Sequence, residues 1–269
     1  MIERITSLSN PRILHARKLY DLKYRRQESA FIAEGLKSVG QAFDSKAEIR
    51  TLIFNPDQLS SDFGQSLVDR ASQAGIQVIE VPAYILESLA RKDKPQGILA
   101  VGSQRWSVFD SEAATGQGIW VALESVQNPG NLGTIIRTCD AAGAKGLILL
   151  DESTDPYDPA AIKASMGSIF AVPHFKTGVD GLRHWLGLSK PVVIGTSDKA
   201  QTDYSQYEYP GHLLFLMGSE RQGLSGRYLD ICEQTLAIPM QGSADSLNLA
   251  VATALVVYQA YNQLRSKTV

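Results

Sequence analysis

Apolar residues along the 269-residue chain recur with two different periods, and the places where the period changes mark out its elements. Residues 13–26 read as a short basic helix. In FIAEGLKSVGQAF (31–43), Ile32, Leu36, Val39 and Phe43 share one helical stripe. IRTLIF (49–54) predicts a strand, 63–75 a helix closed by Gly75, and IQVIEV (76–81) a second strand. YILESLA (84–90) predicts a short helix and GILAVG (97–102) another strand, which completes an α/β unit of ordinary domain size.

RWSVFDSEAATGQG (105–118) loses this periodicity and gathers Ser, Ala, Thr and Gly, so it reads as a linker. The expected division is a domain over 1–105, a linker over 106–118 and a second domain over 119–269. Beyond the linker, strands are predicted at 119–123, 146–150, 169–173, 191–196, 213–217 and 235–238. Helices are predicted at 131–143, near 159–166, near 179–187 and at 247–265. Continuous apolar runs such as LILL, VVIG and LLFLM are those of parallel strands covered on both faces, so the second domain is expected to be α/β with a mostly parallel sheet.

At 44% hydrophobic and 20% charged residues the chain has a globular composition, and its length favours two domains. Its formal charge of −2 hides an asymmetry. Residues 1–105 hold 15 Lys/Arg against 12 Asp/Glu, and residues 106–269 hold 11 against 16. Much of the excess lies in the first 28 residues, where Arg4, Arg12, Arg17, Lys18, Lys23, Arg25 and Arg26 outnumber Glu3, Asp21 and Glu28. That pattern fits either a polyanionic partner or a solvated helix face. Cys139 and Cys232 lie in apolar runs and form no disulfide framework, which suits a cytoplasmic location. The four histidines form no HxxxH or HxH pair, so no metal site is expected. MIERITSLSN lacks an apolar core and no apolar run reaches a membrane-spanning length, so neither a signal peptide nor a membrane span is expected.

Three loops follow apolar strands and carry polar and glycine residues suited to a site: ESVQNPGNLG after 119–123, GSERQGLS (218–225), and PMQGSADSLN (239–248). In an open parallel sheet ligands bind beyond the carboxyl ends of the strands, which is where such loops lie. GxxxxGK[ST], GxGxxG and GxSxG are all absent, which argues against a P-loop kinase, a dinucleotide dehydrogenase and an α/β-hydrolase. In the first loop Asn131 has the chemistry of an N-cap, and Ile135, Ile136, Cys139 and Ala142 then follow helical spacing. Arg137 interrupts that apolar helix without a local reason.

NPGNLGTIIR, LFLMGSERQGLS and LAIPMQGSADSLNLAVATALVVY resemble, in order, the three motifs of the SpoU/TrmH branch of the SPOUT methyltransferases over roughly residues 119–262. The segment from ITSLSNPRI through FIAEGLKSV resembles the small RNA-binding domain that many members carry. The resemblance implies a homodimeric RNA ribose 2′-O-methyltransferase that uses S-adenosylmethionine, with a deep trefoil knot in its catalytic domain. It assigns catalytic roles to Asn131, Arg137, Glu220, Ser246 and Asn248. Cofactor binding falls to Gly218, Ile238, Met240 and Leu247, with Gly223 in the second motif. Ser165 and Gly167, in ASMGSIFAVP, stand as packing or RNA-side elements.

Arg137 is the candidate phosphate grip, since a guanidinium presents a planar bidentate fork, with the general base as a second role the resemblance allows; the structural alternatives are a cap on a neighbouring strand's carbonyls or a salt bridge to Glu124 or Glu220. Ser246 and Asn248 lie near the methyl group in the implied site, with an N-cap role for Asp245 or Ser246 as the structural alternative. Glu220 is expected to accept from Arg137 and fix its rotamer. Arg12, Lys18, Arg25, Arg26 and Lys37 are the candidate RNA contacts. The apolar last helix is expected to form the dimer interface, including Leu255 and Val256. Large-subunit ribosomal RNA is the preferred substrate, with transfer RNA as the alternative. A noncatalytic RNA-binding protein and a base-nitrogen methylase on the same fold are the competing classes.

Overall fold

In the computed structural model, which describes residues 2–91, 95–109, 114–243 and 245–267, the chain divides into two compact units. One comprises Met1–Arg105 with Asp155–Phe170, the other Trp106–Thr154 with Ala171–Val269.

The first unit contains, in order, β1 (Ile2–Arg4), α1 (Pro11–Lys18), α2 (Leu22–Glu28), β2 (Ala30–Glu34), α3 (Leu36–Asp44), β3 (Ile49–Phe54), α4 (Asp62–Gln73), β4 (Gln77–Glu80), α5 (Ala83–Leu89) and β5 (Ile98–Ser103). The strands form a sheet of order β1-β4-β3-β5-β2, with β5 antiparallel to both of its neighbours. Ile13, Leu19, Ile32, Ile53, Ile79, Leu86 and Leu99 meet in its core.

Two segments of this unit depart from the sequence reading. The expected helix over 31–43 is a strand followed by a helix. Gly35, at φ 88, makes the corner between them in a region that favours glycine. Residues Ala30–Ala33 are buried on both sheet faces, so the strand shows no alternation and its apolar run passes for a helical stripe. The expected helix over 13–26 is two helices. Asn10 caps the first and Asp21 the second, each through its side-chain oxygen.

The second unit contains β6 (Ile119–Glu124), α6 (Pro129–Ala141) and β7 (Gly146–Leu150). After α7 (Pro159–Ser165), which falls within the first unit, come β8 (His174–Thr177), α8 (Val179–Ser189), β9 (Val192–Thr196), β10 (Thr202–Asp203), β11 (Leu213–Met217), α9 (Gly226–Leu229), β12 (Gln234–Ala237) and α10 (Leu249–Ser266). The seven strands form one wholly parallel sheet of order β10-β12-β9-β11-β6-β7-β8. β6, β7 and β11 are buried along their full length, as their apolar runs predict. Trp120, Phe175 and Trp185 pack among Leu214, Leu216 and Tyr228 in the core. The helix α10 packs against α6, β11 and β6.

The strand expected at 169–173 is displaced to β8. Met166 and Gly167 take left-handed conformations (φ 53 and 92), and a short 3-10 turn follows at Ser168–Phe170. Ser165 and Gly167 are packing residues here. Ser165 is fully buried and donates to the Ile162 carbonyl at 2.9 Å, while a Cβ on Gly167 would lie 2.6 Å from Gln41 Cβ. Among the described residues no helix is long and apolar enough to cross a membrane.

Candidate active site

The site grows from the C-terminal ends of neighbouring parallel strands. β12, β9 and β11 lie side by side, and the chain following each of them lines a cavity of about 510 Å³. Its apolar wall includes Leu224, Leu236, Ile238 and Leu249, and Met240 and Leu247 stand half-exposed at 39% and 38%. Gly218, Ser246 and Glu220 also line it. The four residues expected to hold the cofactor therefore share one cavity.

Gly218 is required by packing of the backbone on itself. A Cβ there would lie 1.9 Å from the Gly223 carbonyl carbon and 2.1 Å from the Leu224 nitrogen. Ser219 and Gly223 exchange backbone hydrogen bonds of 3.1 and 3.0 Å, which closes a tight loop around Glu220, and Gly223 takes φ 66. The close approach expected between Gly218 and a cofactor is thus preceded by one within the protein. From behind, buried Glu124 at the end of β6 accepts from the Ser225 N–H at 2.8 Å and anchors the loop. Asp151 adds a second anchor, accepting from Arg227 at 2.7 Å and from the Tyr228 hydroxyl at 2.8 Å.

Next to β11, β6 leads into α6. Asn128, rather than Asn131, is the N-cap of this helix: its side chain accepts from the Asn131 N–H at 3.0 Å and Pro129 occupies the first turn. The helix therefore begins earlier than 131, and the Asn131 side chain is released for other bonds. Its Nδ2 donates to Glu220 Oε1 at 3.1 Å, and its Oδ1 accepts from Asn248 Nδ2 at 3.0 Å. Asn248 is itself the N-cap of α10, accepting from the Ala250 N–H at 2.9 Å, so neither Asp245 nor Ser246 has that role. One residue from each motif thus joins a single hydrogen-bonded group.

Burial alone would push the Glu220 carboxyl up. Hydrogen bonds from its own N–H, from Asn131 and from the N–H groups of Gln127 and Asn128 outweigh it, holding the carboxyl below its ordinary value. Glu220 is a fixed anion. It does not accept from Arg137, contrary to expectation. Arg137 is exposed and makes no hydrogen bond or ion pair among the described residues, so neither Glu124 nor Glu220 satisfies it.

The basic residues of the first unit separate into two groups. Arg12, Lys18, Arg26 and Lys37 are exposed. Arg25 is only 2% exposed: its Nε donates to Asp155 at 2.6 Å, Nη2 to Asp158 at 3.2 Å, and Nη1 to the Leu19 and Tyr20 carbonyls at 3.0 and 2.9 Å. Every face of that guanidinium is used, so Arg25 is a structural residue and not an RNA contact. Val256 is likewise fully buried within this single chain, so it cannot belong to the expected dimer surface.

Sequence reasoning missed the fourth wall of the cavity, Thr196, Ser197, Asp198 and Lys199 after β9. The signal was available: VVIG is an apolar parallel strand and TSDK is the polar loop beyond it, the same pattern as in the three loops that were singled out. Opposite charges on Asp198 and Lys199, beside apolar walls, suit a ligand with a flat aromatic ring system at one end and a zwitterionic tail at the other. S-adenosylmethionine has that chemistry. Among the described residues no group of three or more His, Cys, Asp or Glu is placed to hold a metal ion.

A parallel α/β domain with a cavity at its strand ends and a polar group beside it is that of an enzyme acting on a ligand held over the sheet edge. Residues 118–258 match the SpoU rRNA Methylase family, and residues 10–100 match the MRM3-like substrate binding domain. The chain belongs to the SpoU rRNA methylase family. A crystal structure of an AdoMet-bound rRNA methyltransferase from Sinorhizobium meliloti superposes with a TM-score of 0.86 at 34% identity, covering 98% of each chain. The 23S rRNA (uridine(2479)-2′-O)-methyltransferase of Streptomyces viridochromogenes is 28% identical over 89% of this chain and 85% of its own length. The 23S rRNA (guanosine(2553)-2′-O)-methyltransferase of Bacillus subtilis is 27% identical over 96% of this chain and 98% of its own.

Proposed function

We propose that this protein transfers a methyl group from S-adenosylmethionine to a ribose 2′-hydroxyl of large-subunit ribosomal RNA. The observation that carries this reading is the double position of Glu220, which lines the cavity and also holds Asn131. That arrangement ties a cofactor-sized space to a polar group able to orient a hydroxyl. The relatives' activities on 23S rRNA support the choice of substrate, and they act on different nucleotides, so the target base is left open.

The cofactor's sulfonium supplies an electrophilic methyl group. The protein's own residues have to hold the nucleophile. A 2′-hydroxyl is a weak nucleophile and needs alignment and relief of its proton. Arg137, exposed on α6 and unpaired among the described residues, offers two parallel N–H donors to the adjacent phosphate. A guanidinium keeps its proton in proteins, so Arg137 orients substrate and stabilises charge. Glu220, fixed by four donors, holds the Asn131 amide in one orientation, and Asn248 holds it from the other side. Gly218, Ile238, Met240 and Leu247 form the cofactor-binding part, with Ser246 at its rim.

The division of labour follows the composition: residues 1–105 bind substrate and 119–269 catalyse, working in the cytoplasm. A homodimer through α10, with the trefoil knot in the catalytic domain, belongs to the same reading. Its support is an apolar stripe on α10: Val251 and Tyr258, 49% and 39% exposed, flank half-buried Leu255 at helical spacing.

The test is to map ribose methylation in total RNA from a strain lacking the gene. Loss of one 2′-O-methyl group from large-subunit rRNA, restored in vitro by the protein with S-adenosylmethionine, is expected. A lost mark in transfer RNA would move the substrate, and an unchanged map would overturn the reading.

A further inference from the structure

Helices α1 and α2 bring many basic residues together, and most of them are already engaged. Arg12 pairs with Glu3, His15 with Glu28 at 3.0 Å, Arg17 donates to Ser88 at 3.0 Å, and Arg25 is buried against Asp155. Lys18, Lys23 and Arg26 are exposed and, among the described residues, make no side-chain hydrogen bond or ion pair. The ammonium groups of Lys18 and Lys23 lie instead 5.3 and 6.0 Å from the centroid of the half-buried Tyr24 ring. Both distances are within the range of cation–π attraction.

The burial of Arg25 fixes how α2 is turned. Successive helical residues are rotated by about 100°. With Arg25 turned inward and held by Asp155 and Asp158, Tyr24 and Arg26 are set on either side of it, at the two edges of the exposed face. The sequence LKYRRQE thus uses one arginine to fix the helix, and leaves the Tyr24 ring at one edge of the exposed face with the Lys18 and Lys23 ammonium groups beside it, while Arg26 lies at the opposite edge.

A solvated charged face would not need the aromatic ring, and a duplex-binding face would not use it, because bases in a helix are stacked on one another. An aromatic face beside cations is the arrangement that takes an unstacked base together with its flanking phosphates. We propose that Tyr24, with Lys18 and Lys23, forms a stacking site for one unpaired base of the RNA substrate. The inference rests on the RNA-modifying reading above and narrows it: the substrate presents a single-stranded loop or bulge to the first unit.

The full-length protein is to be titrated with a labelled single-stranded oligoribonucleotide and with a duplex of the same sequence, using anisotropy. Tyr24→Ala is expected to weaken single-strand binding roughly ten- to a hundredfold, and Tyr24→Phe to stay within about twofold. Duplex binding is expected to be unchanged by either. Tyr24→Leu preserves apolar bulk without a π-face and is expected to behave as the alanine variant, which separates stacking from folding. Lys18→Ala and Lys23→Ala should each lower the single-strand salt slope by about 0.7. Wild-type binding by Tyr24→Ala, equal weakening for strand and duplex, or a Tyr24→Phe variant as weak as alanine would each overturn the site. Failure of the methylation reading shows separately, as absence of ribose methylation by the unaltered protein.

Discussion

Asn131 and Glu220 lie 89 positions apart in the chain and are joined by a 3.1 Å hydrogen bond from the asparagine amide to a carboxylate whose other donors are backbone N–H groups. Asn248 closes the group from the opposite side at 3.0 Å. An amide fixed at both its oxygen and its nitrogen has one orientation, so the group acts as a unit. Asn131→Ala and Glu220→Gln are each expected to slow single-turnover methylation, and the double variant to be little slower than the worse single one. The coupling should be about 0.5–3 kcal/mol, the range for residues in one network. Strict additivity in this cycle would show that the two residues act independently.

The same hydrogen bonds set a pH expectation. The folded-state carboxyl of Glu220 is held below its ordinary value, so the charged form is kept at all pH above the carboxylate range and is lost only as pH falls through the depressed value. Above about pH 5 Glu220 therefore contributes no ionisation to the rate. Wild type and Glu220→Gln should give parallel pH–rate profiles there, differing by a constant factor. An inflection near neutrality that disappears in the variant would make Glu220 the general base.

The sequence made much of this site legible because the parallel strands are continuous apolar runs and the site loops follow them directly. Asn131, Glu220 and Asn248 were legible as types and positions, but their mutual bonds were not, since local spacing says nothing about partners about 90 or 117 positions away. The cap of α6 is ambiguous in the sequence between two asparagines three positions apart, although Pro129, suited to the first turn, marks the earlier start. The role of Arg25 is hidden for the same long-range reason: its two carboxylates lie 130 and 133 positions downstream, so a local charge count treats it as free.

That correction separates two adjacent arginines by experiment. Arg25→Ala leaves Asp155, 8% exposed, as an uncompensated buried charge, and is expected to cost about 3–5 kcal/mol of stability in denaturant unfolding. Arg26→Ala should leave stability within about 0.5 kcal/mol and reduce the salt dependence of RNA binding instead. Equal stability of the two variants would contradict the burial of Arg25.

Gly218 provides a steric test. Alanine there places a methyl group 1.9 Å from backbone that Ser219 and Gly223 hold together, and Glu124 anchors the same loop, so no side chain is available to move aside. Gly218→Ala is expected to destabilise the protein by about 3 kcal/mol, the upper end of ordinary overpacking, and to abolish S-adenosylmethionine binding in calorimetry. Gly211→Ala, where nothing lies within 4 Å of the added methyl, is the tolerated control. A Gly218→Ala protein that melts and binds like wild type would rule out the loop's close contact.

Arg137 carries the sharpest expectation, because the structure leaves it without a structural task. It sits on α6, exposed and without a hydrogen bond or ion pair among the described residues, while Glu124 and Glu220 are taken by other groups. It does not line the cavity, so Arg137→Ala should leave S-adenosylmethionine affinity unchanged. Single-turnover methylation with both substrates saturating should nevertheless fall about 10²–10³-fold, the scale of a lost transition-state contact. Arg137→Lys should recover little of this, since an ammonium is a point charge and cannot reproduce two parallel N–H donors. Because the side chain is exposed, neither variant should change the melting temperature appreciably, so a loss of rate cannot be assigned to unfolding. If Arg137→Ala methylates normally under saturation, or if lysine restores the full rate, the phosphate-gripping role is wrong and the helix carries its arginine for another purpose.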